Sequence, residues 1–387
     1  MLESILVYGF VAVVMIVCGV FAADREHRIL GNKALNFNYS DKRLSFAYIE
    51  VILPLFIFAF IFGCRYNVGV DYPGYLEVYL YGGERTYEFL FAWVTEKMSS
   101  LGIHYAFYFA LWAFLQVFLL FYAFRNQRFL FPYMAFFLIF GSYYMSMMNI
   151  IRQQLAACVF MVSLQYIDNK NIVKYVLSVF VASLFHVSAW LLLIVYPLFL
   201  RKSDWFPNIK WQFVLYAIAV YLSTQYDLVV KYVEIPFDYF VRLFGYDDYL
   251  KDILYNEKLN SINQFEKNTG YGIFISVFLT STIVLYSKKL KGFYNSRFFN
   301  IVYSLWFVRI LVEQITGDSI VLNRPFVYVY NFKLIILSCF LYYCFKTKTV
   351  MTQVLGAVFI LFHIAMLLNI ISYGEVNTSA FTFFWQH

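Results

Sequence analysis

The sequence predicts an all-α, polytopic integral membrane protein: one transmembrane domain over residues 1–387, with about 12 helical crossings and an outward-facing polar cavity. Three observations carry that expectation. Of 387 residues, 62% are hydrophobic and 14% charged, against roughly 25% charged in soluble domains. Apolar runs of roughly 17 to 25 residues, the length a helix needs to cross a bilayer, recur along the whole chain. The alternating strands of a membrane barrel, about 10 residues each, are missing. Aromatic residues reach 23%, more than interfacial belts require, so some rings are expected to line the cavity.

Taken in order, the spans fall at 4–23, 46–64, 104–124, 129–147, 150–167, 172–186, 188–200, 211–226, 270–286, 298–316, 325–345 and 350–372. The first has no basic leader and is long for a signal-peptide core, so it is expected to be retained. The two short runs around 186 predict a helix broken near His186. More than half of the Lys and Arg residues lie in six short loops, at 24–45, 125–128, 168–174, 201–210, 287–297 and 346–349. The positive-inside rule makes that side cytoplasmic and turns both termini outward. Two longer segments then face out, about 65–102 and 227–269. The first carries an amphipathic stretch at 87–98 suited to the interface. The second is net acidic and ring-rich, a cap able to stack on sugars.

The net charge of +7 is spread over loops, which argues against a nucleic-acid partner. Cys18, Cys64, Cys158, Cys339 and Cys344 sit in or beside apolar runs with no CxxC spacing and no nearby His. Neither a disulfide framework, a metal site nor a cofactor is indicated.

Arg152 is the sole charged residue between Phe129 and Ile167. A charge in a span must face the bundle interior, water or a partner. Snorkelling to headgroups is the plain alternative, but it needs no polar company, and Asn149, Gln153 and Gln154 surround this Arg. At the outward start of a helix, the group suits a phosphate. His186 ends the next span at the same depth, either a satisfied core histidine or a general base. Arg65 and Asp71 flank a turn-prone segment before Tyr75, either as an exposed ion pair or as an anion holder and a proton acceptor. Arg309 and Glu313 are four apart on one helix face and can neutralise each other, Arg324 begins a late span, and Lys333 has no evident partner. Several Arg residues with one or two proton acceptors, gathered outward from distant elements, describe a site for a diphosphate and a hydroxyl.

The segment from Arg65 to Asp71 with Tyr75, the Asn149-Ile-Ile-Arg152-Gln153 opening of a span, Phe185-His186-Val-Ser188-Ala189, and an Arg beginning a late span together resemble EpsG-family membrane proteins over about residues 50–345. These are polymerases of bacterial O-antigen, capsule or exopolysaccharide. The resemblance implies metal-independent, inverting glycosyl transfer between undecaprenyl-diphosphate-linked repeat units at the outer face of the bacterial cytoplasmic membrane, and a chain-length regulator as partner. It points position by position to Arg65, Asp71, Arg152, Gln153, His186 and Arg324; with Tyr75 and Glu313 added from the outward cluster, the expectation is that Asp71, His186 and Arg152 serve catalysis and that Arg65, Gln153, Arg324, Tyr75 and Glu313 hold the diphosphate and sugars. Asp71 and His186 both stand as candidate bases. A lipid-linked oligosaccharide flippase is the alternative, and should show polar residues through the bundle depth. A membrane acyltransferase using His186 has no need of several Arg residues.

Overall fold

The computed structural model describes residues 1–31, 37, 45–82, 87–225, 271–316, 323–372 and 380–386, and the expected cap at 227–269 lies outside them. The regular structure of the described residues is helical, with one isolated bridge between Arg65 and Phe383. They comprise α1 Leu2–Leu30, α2 Ile49–Gly63, α3 Tyr72–Tyr81, α4 Phe89–Ser100, α5 Tyr105–Ala123, α6 Phe131–Phe140, α7 Tyr143–Asn149, α8 Ile151–Asp168, α9 Ile172–Ser183, α10 Val195–Arg201 and α11 Ile209–Ser223. There follow α12 Tyr271–Leu285, α13 Ser287–Tyr294, α14 Arg297–Thr316, α15 Asn331–Thr347 and α16 Val350–Ser372, with 3₁₀ turns at Val187–Ile194 and Arg324–Val329.

Among these, α1, α5, α14, α16 and the continuous run Arg324–Thr347 are five helices long and apolar enough to cross a membrane. A sixth is added if α6 and α7 form one bent span. The other apolar helices, including α2, α9 and α11, are of 10–17 residues, short of the roughly 20 a full crossing takes. The single span expected at 129–147 is broken: α6 and α7 meet at 65°. Ser142 takes a left-handed φ of 58°, which ends the helix there. The break expected near His186 is present, since α9 stops at Ser183 and His186 is extended at φ −157°, ψ 116°.

Helices in lipid associate through close packing more than through apolar burial, and small residues let backbones approach. A Cβ on Gly63 would stand 2.5 Å from Ala110 Cβ, and one on Gly19 would stand 2.7 Å from Pro132 N, so α2 lies tight on α5 and α1 on α6. Helix α8 lies at the centre, packed on α5, α9 and the 324–329 turn. Its two ends are chemically distinct. Asp168 meets Arg297 at 3.5 Å and Arg125 donates to Gln165 Oε1 at 2.7 Å near one end. Arg152 lies at the other, about 24 Å away at 1.5 Å per residue. The 380–386 segment straps the Arg152 end: Tyr66 N–H donates to Thr382 O at 2.8 Å and Phe384 N–H to Cys64 O at 3.0 Å.

Candidate functional site

Arg152 projects from the first turn of α8. Its Nη1 donates to Glu88 Oε2 at 2.5 Å, and the guanidinium stands 4.7 Å from the centre of the Tyr87 ring. Glu88 precedes α4, and α4 is docked by Leu90 N–H donating to Leu184 O at 3.1 Å. That docking carries the second carboxylate oxygen to the break after α9, where Glu88 Oε1 accepts Val187 N–H at 3.1 Å. One carboxylate therefore ties the start of α8 to the residue after His186. Tyr75, buried on α3, accepts a hydrogen bond from Arg152; burial pushes its hydroxyl up to about 12, against the pull of Arg152.

The His186 ring is fixed by two hydroxyls. Its Nδ1 lies 2.9 Å from Ser188 Oγ and 3.2 Å from Tyr328 OH, and the two hydroxyls are 2.8 Å apart. Glu88, Arg152 and Arg324 all act electrostatically on this imidazole. Gln153 Nε2 donates to Arg324 O at 2.7 Å, which holds the 324–329 turn against α8. Asp71 is exposed at the N-terminus of α3 and acts electrostatically on Tyr75. The structure thus brings together Arg152, His186, Gln153, Arg324 and Tyr75, with Asp71 at the rim.

Arg65 and Glu313 stand elsewhere. Arg65 is 1% exposed and spends its guanidinium on backbone carbonyls: Phe62 O at 2.5 Å, Val68 O at 3.1 Å and Met148 O at 3.4 Å. Phe109 and Tyr72 rings flank it at 4.8 and 5.4 Å. It staples the turn at 62–68 to the end of α7, and the pairing expected with Asp71 is not formed. The reason is local. A chain leaving α2 with Asn67 and Gly69 both at positive φ, 53° and 108°, cannot satisfy its own carbonyls with backbone N–H groups. Glu313 accepts from Lys333 Nζ at 2.6 Å and lies 3.5 Å from Arg309 Nε, which gives Lys333 the partner that the sequence did not reveal. Both Glu313 and Lys333 line a second cavity of ≈ 620 Å³.

Sequence reasoning missed Glu88, Tyr87 and Tyr328. The signal was the demand itself: a lone buried Arg requires a carboxylate, and Glu88 sits in the amphipathic stretch after Asp71. Tyr328 also lines an apolar groove of ≈ 640 Å³, with Leu192, Val195, Leu198, Leu305 and Pro325. Among the described residues no group of three His, Cys, Asp or Glu could hold a metal ion. Chemically the cluster offers guanidiniums for an anion, an imidazole and a carboxylate able to take a proton, and an apolar trough alongside.

The model of the EpsG family matches residues 48–384, which takes in α2, the Arg152 cluster and the strap. The chain belongs to the EpsG family. No curated protein and no solved structure matches it. In this EpsG-family chain the Arg152-Gln153 and His186-x-Ser188 stretches, far apart in sequence, converge through Glu88 and the 324–329 turn. The family suggests a membrane protein of polysaccharide-polymerase type.

Proposed function

We propose that this protein is a glycosyltransferase that joins undecaprenyl-diphosphate-linked oligosaccharide repeat units at the outer face of the bacterial cytoplasmic membrane. One observation carries the reading: the 324–329 turn borders the cluster of Arg152, Glu88 and His186 on one side, and the apolar groove on the other. Such a junction fits an amphiphile with an anionic head and a long apolar tail. Arg152 and Arg324 would face the diphosphate, whose two charged phosphates compete with Glu88 for the Arg152 guanidinium. Gln153 and Tyr75 hold the surrounding backbone and Arg152 in place.

In the reaction, the acceptor's hydroxyl oxygen attacks the anomeric carbon. The bond from that carbon to the diphosphate oxygen breaks, and its electron pair leaves on the lipid diphosphate. The hydroxyl proton passes to His186 or to Asp71. Charge grows on the leaving diphosphate, so fixed guanidiniums lower the barrier. The base contributes about 10² to 10⁴-fold. Replacing each candidate with Asn separates them, because only the base's loss lowers the rate by that factor. Within the cell a chain-length regulator is the expected protein partner.

The test is to supply the purified protein with one lipid-linked repeat unit and separate the products by size. A ladder of longer chains supports the reading. A flippase is the second reading, and the Glu313 and Lys333 charges held within the helix bundle favour it. Movement of intact lipid across a liposome membrane with no ladder decides for the flippase.

A further inference from the structure

The ≈ 620 Å³ cavity lies between the α6–α7 break and helices α12, α14, α15 and α16. Its size falls within the range of about 300 to 1,000 Å³ that ligand sites occupy. Its two cations share one carboxylate. Lys333 donates to Glu313 at 2.6 Å, Arg309 meets Glu313 at 3.5 Å, and Arg309 Nη1 donates to Asn323 Oδ1 at 3.0 Å. A diphosphate entering here would have to displace the Glu313 carboxylate from both cations. An apolar tail, though matched to most of the lining, would strip water from Glu313, Lys333 and Asn369 with nothing to replace it.

A neutral, polyhydroxylated ligand meets both conditions. Hydroxyls can bond Glu313, whose side chain keeps 34% of its surface, and the Lys333 ammonium, which has three N–H donors. Of the cavity's rings, Trp306 and Tyr143 are buried, and the half-buried Tyr330, 5.1 Å from Tyr143, offers a face to the C–H groups of a sugar. The connection to the first cluster is short. Asn323, which holds Arg309, adjoins Arg324, and Tyr330 follows two residues after Tyr328, the partner of His186. The segment 323–330 thus contributes Tyr328 to the cluster and Tyr330 to the cavity.

We infer that the cavity formed by Tyr143, Trp306, Glu313, Tyr330, Lys333 and Asn369 seats the saccharide portion of a lipid-linked repeat unit. The inference rests on the polymerase reading, and its first test does not need turnover. The probe is the oligosaccharide released by mild acid from the lipid-linked unit, titrated calorimetrically into full-length protein in nanodiscs. Ser276→Trp on α12 and Ala365→Trp on α16 each fill the cavity while leaving Arg152, His186 and the Glu313 pairs in place.

Wild type should bind the free oligosaccharide, and each Trp variant should bind it about tenfold more weakly or worse. No binding by wild type up to about 10 mM, or equal binding by folded Trp variants, overturns the inference. The second arm measures KM separately for donor and acceptor. A rise for the acceptor alone assigns the cavity to the acceptor's sugars, and a rise for the donor alone assigns it to the donor's. No change in either KM counts against the inference. If wild type makes no polymer but still binds the oligosaccharide in a manner Ser276→Trp abolishes, the polymerase reading falls and the saccharide site stands.

Discussion

Replacing Glu88 with Gln tests how the site is held together. The carboxylate accepts Arg152 Nη1 at 2.5 Å through one oxygen and Val187 N–H at 3.1 Å through the other. An amide of the same shape can keep one of those bonds but removes the charge. The Glu88 and Arg152 side chains are 12% and 23% exposed, so the variant leaves a mostly buried guanidinium without its counter-ion. Removing one partner costs about 3 to 5 kcal/mol in a fully buried pair and about 0 to 1 kcal/mol at the surface. This pair lies between, and about 1 to 3 kcal/mol of stability is expected to go. Freed of Glu88, Arg152 and the residues around His186 lose a shared tether, and a displacement of about 1 Å costs on the order of 10² in rate. The assay is the initial rate of linkage formation from lipid-linked repeat units, alongside thermal unfolding in detergent. Glu88→Gln should unfold at lower temperature and lose about 10²-fold in kcat/KM, with Glu88→Asp recovering part of the rate. A Glu88→Gln protein with wild-type unfolding and wild-type rate would refute the bridge.

Three other outcomes follow from named contacts. Tyr328→Phe deletes the hydroxyl 2.8 Å from Ser188 and 3.2 Å from His186; the rate should fall about tenfold with the protein still folded. An unchanged rate would detach Tyr328 from the imidazole. Gly69→Ala introduces a side chain where φ is 108° and where its Cβ would stand 2.6 Å from Asn149 Oδ1. A loss of about 1 to 3 kcal/mol is expected in denaturant titration, and wild-type stability would show that the turn adjusts freely. Tyr81 is 83% exposed on α3, so Tyr81→Cys should react with an impermeant maleimide added to intact spheroplasts. Labelling only after permeabilisation would invert the proposed topology.

Much of the arrangement was readable from composition and charge. The low charge fraction and the recurring apolar runs give an all-helical membrane protein. The cost of an isolated Arg in such a run singles out Arg152, and the broken run at 186 locates His186. What hydropathy cannot read is where a helix stops for backbone reasons. The 129–147 run is apolar throughout, yet left-handed Ser142 divides it. Pairing across distance was equally hidden. Arg65 and Arg152 look alike in sequence, each a cation beside an apolar run. One is spent on carbonyls of its own turn, and the other on a carboxylate 64 residues earlier in the chain. Glu313 reads as part of the outer cluster by its position in its span. Lys333, nine residues into the Arg324–Thr347 run, draws it to the second cavity instead.

The central claim is that lipid-linked units are joined at Arg152. The most direct measurement follows one round of transfer between a donor with labelled undecaprenyl diphosphate and an unlabelled acceptor, for wild type and Arg152→Ala inserted to the same level in membranes. Wild type should release one labelled lipid diphosphate for each new linkage, and Arg152→Ala should insert normally, release none and extend nothing. Normal linkage formation by Arg152→Ala would contradict the account.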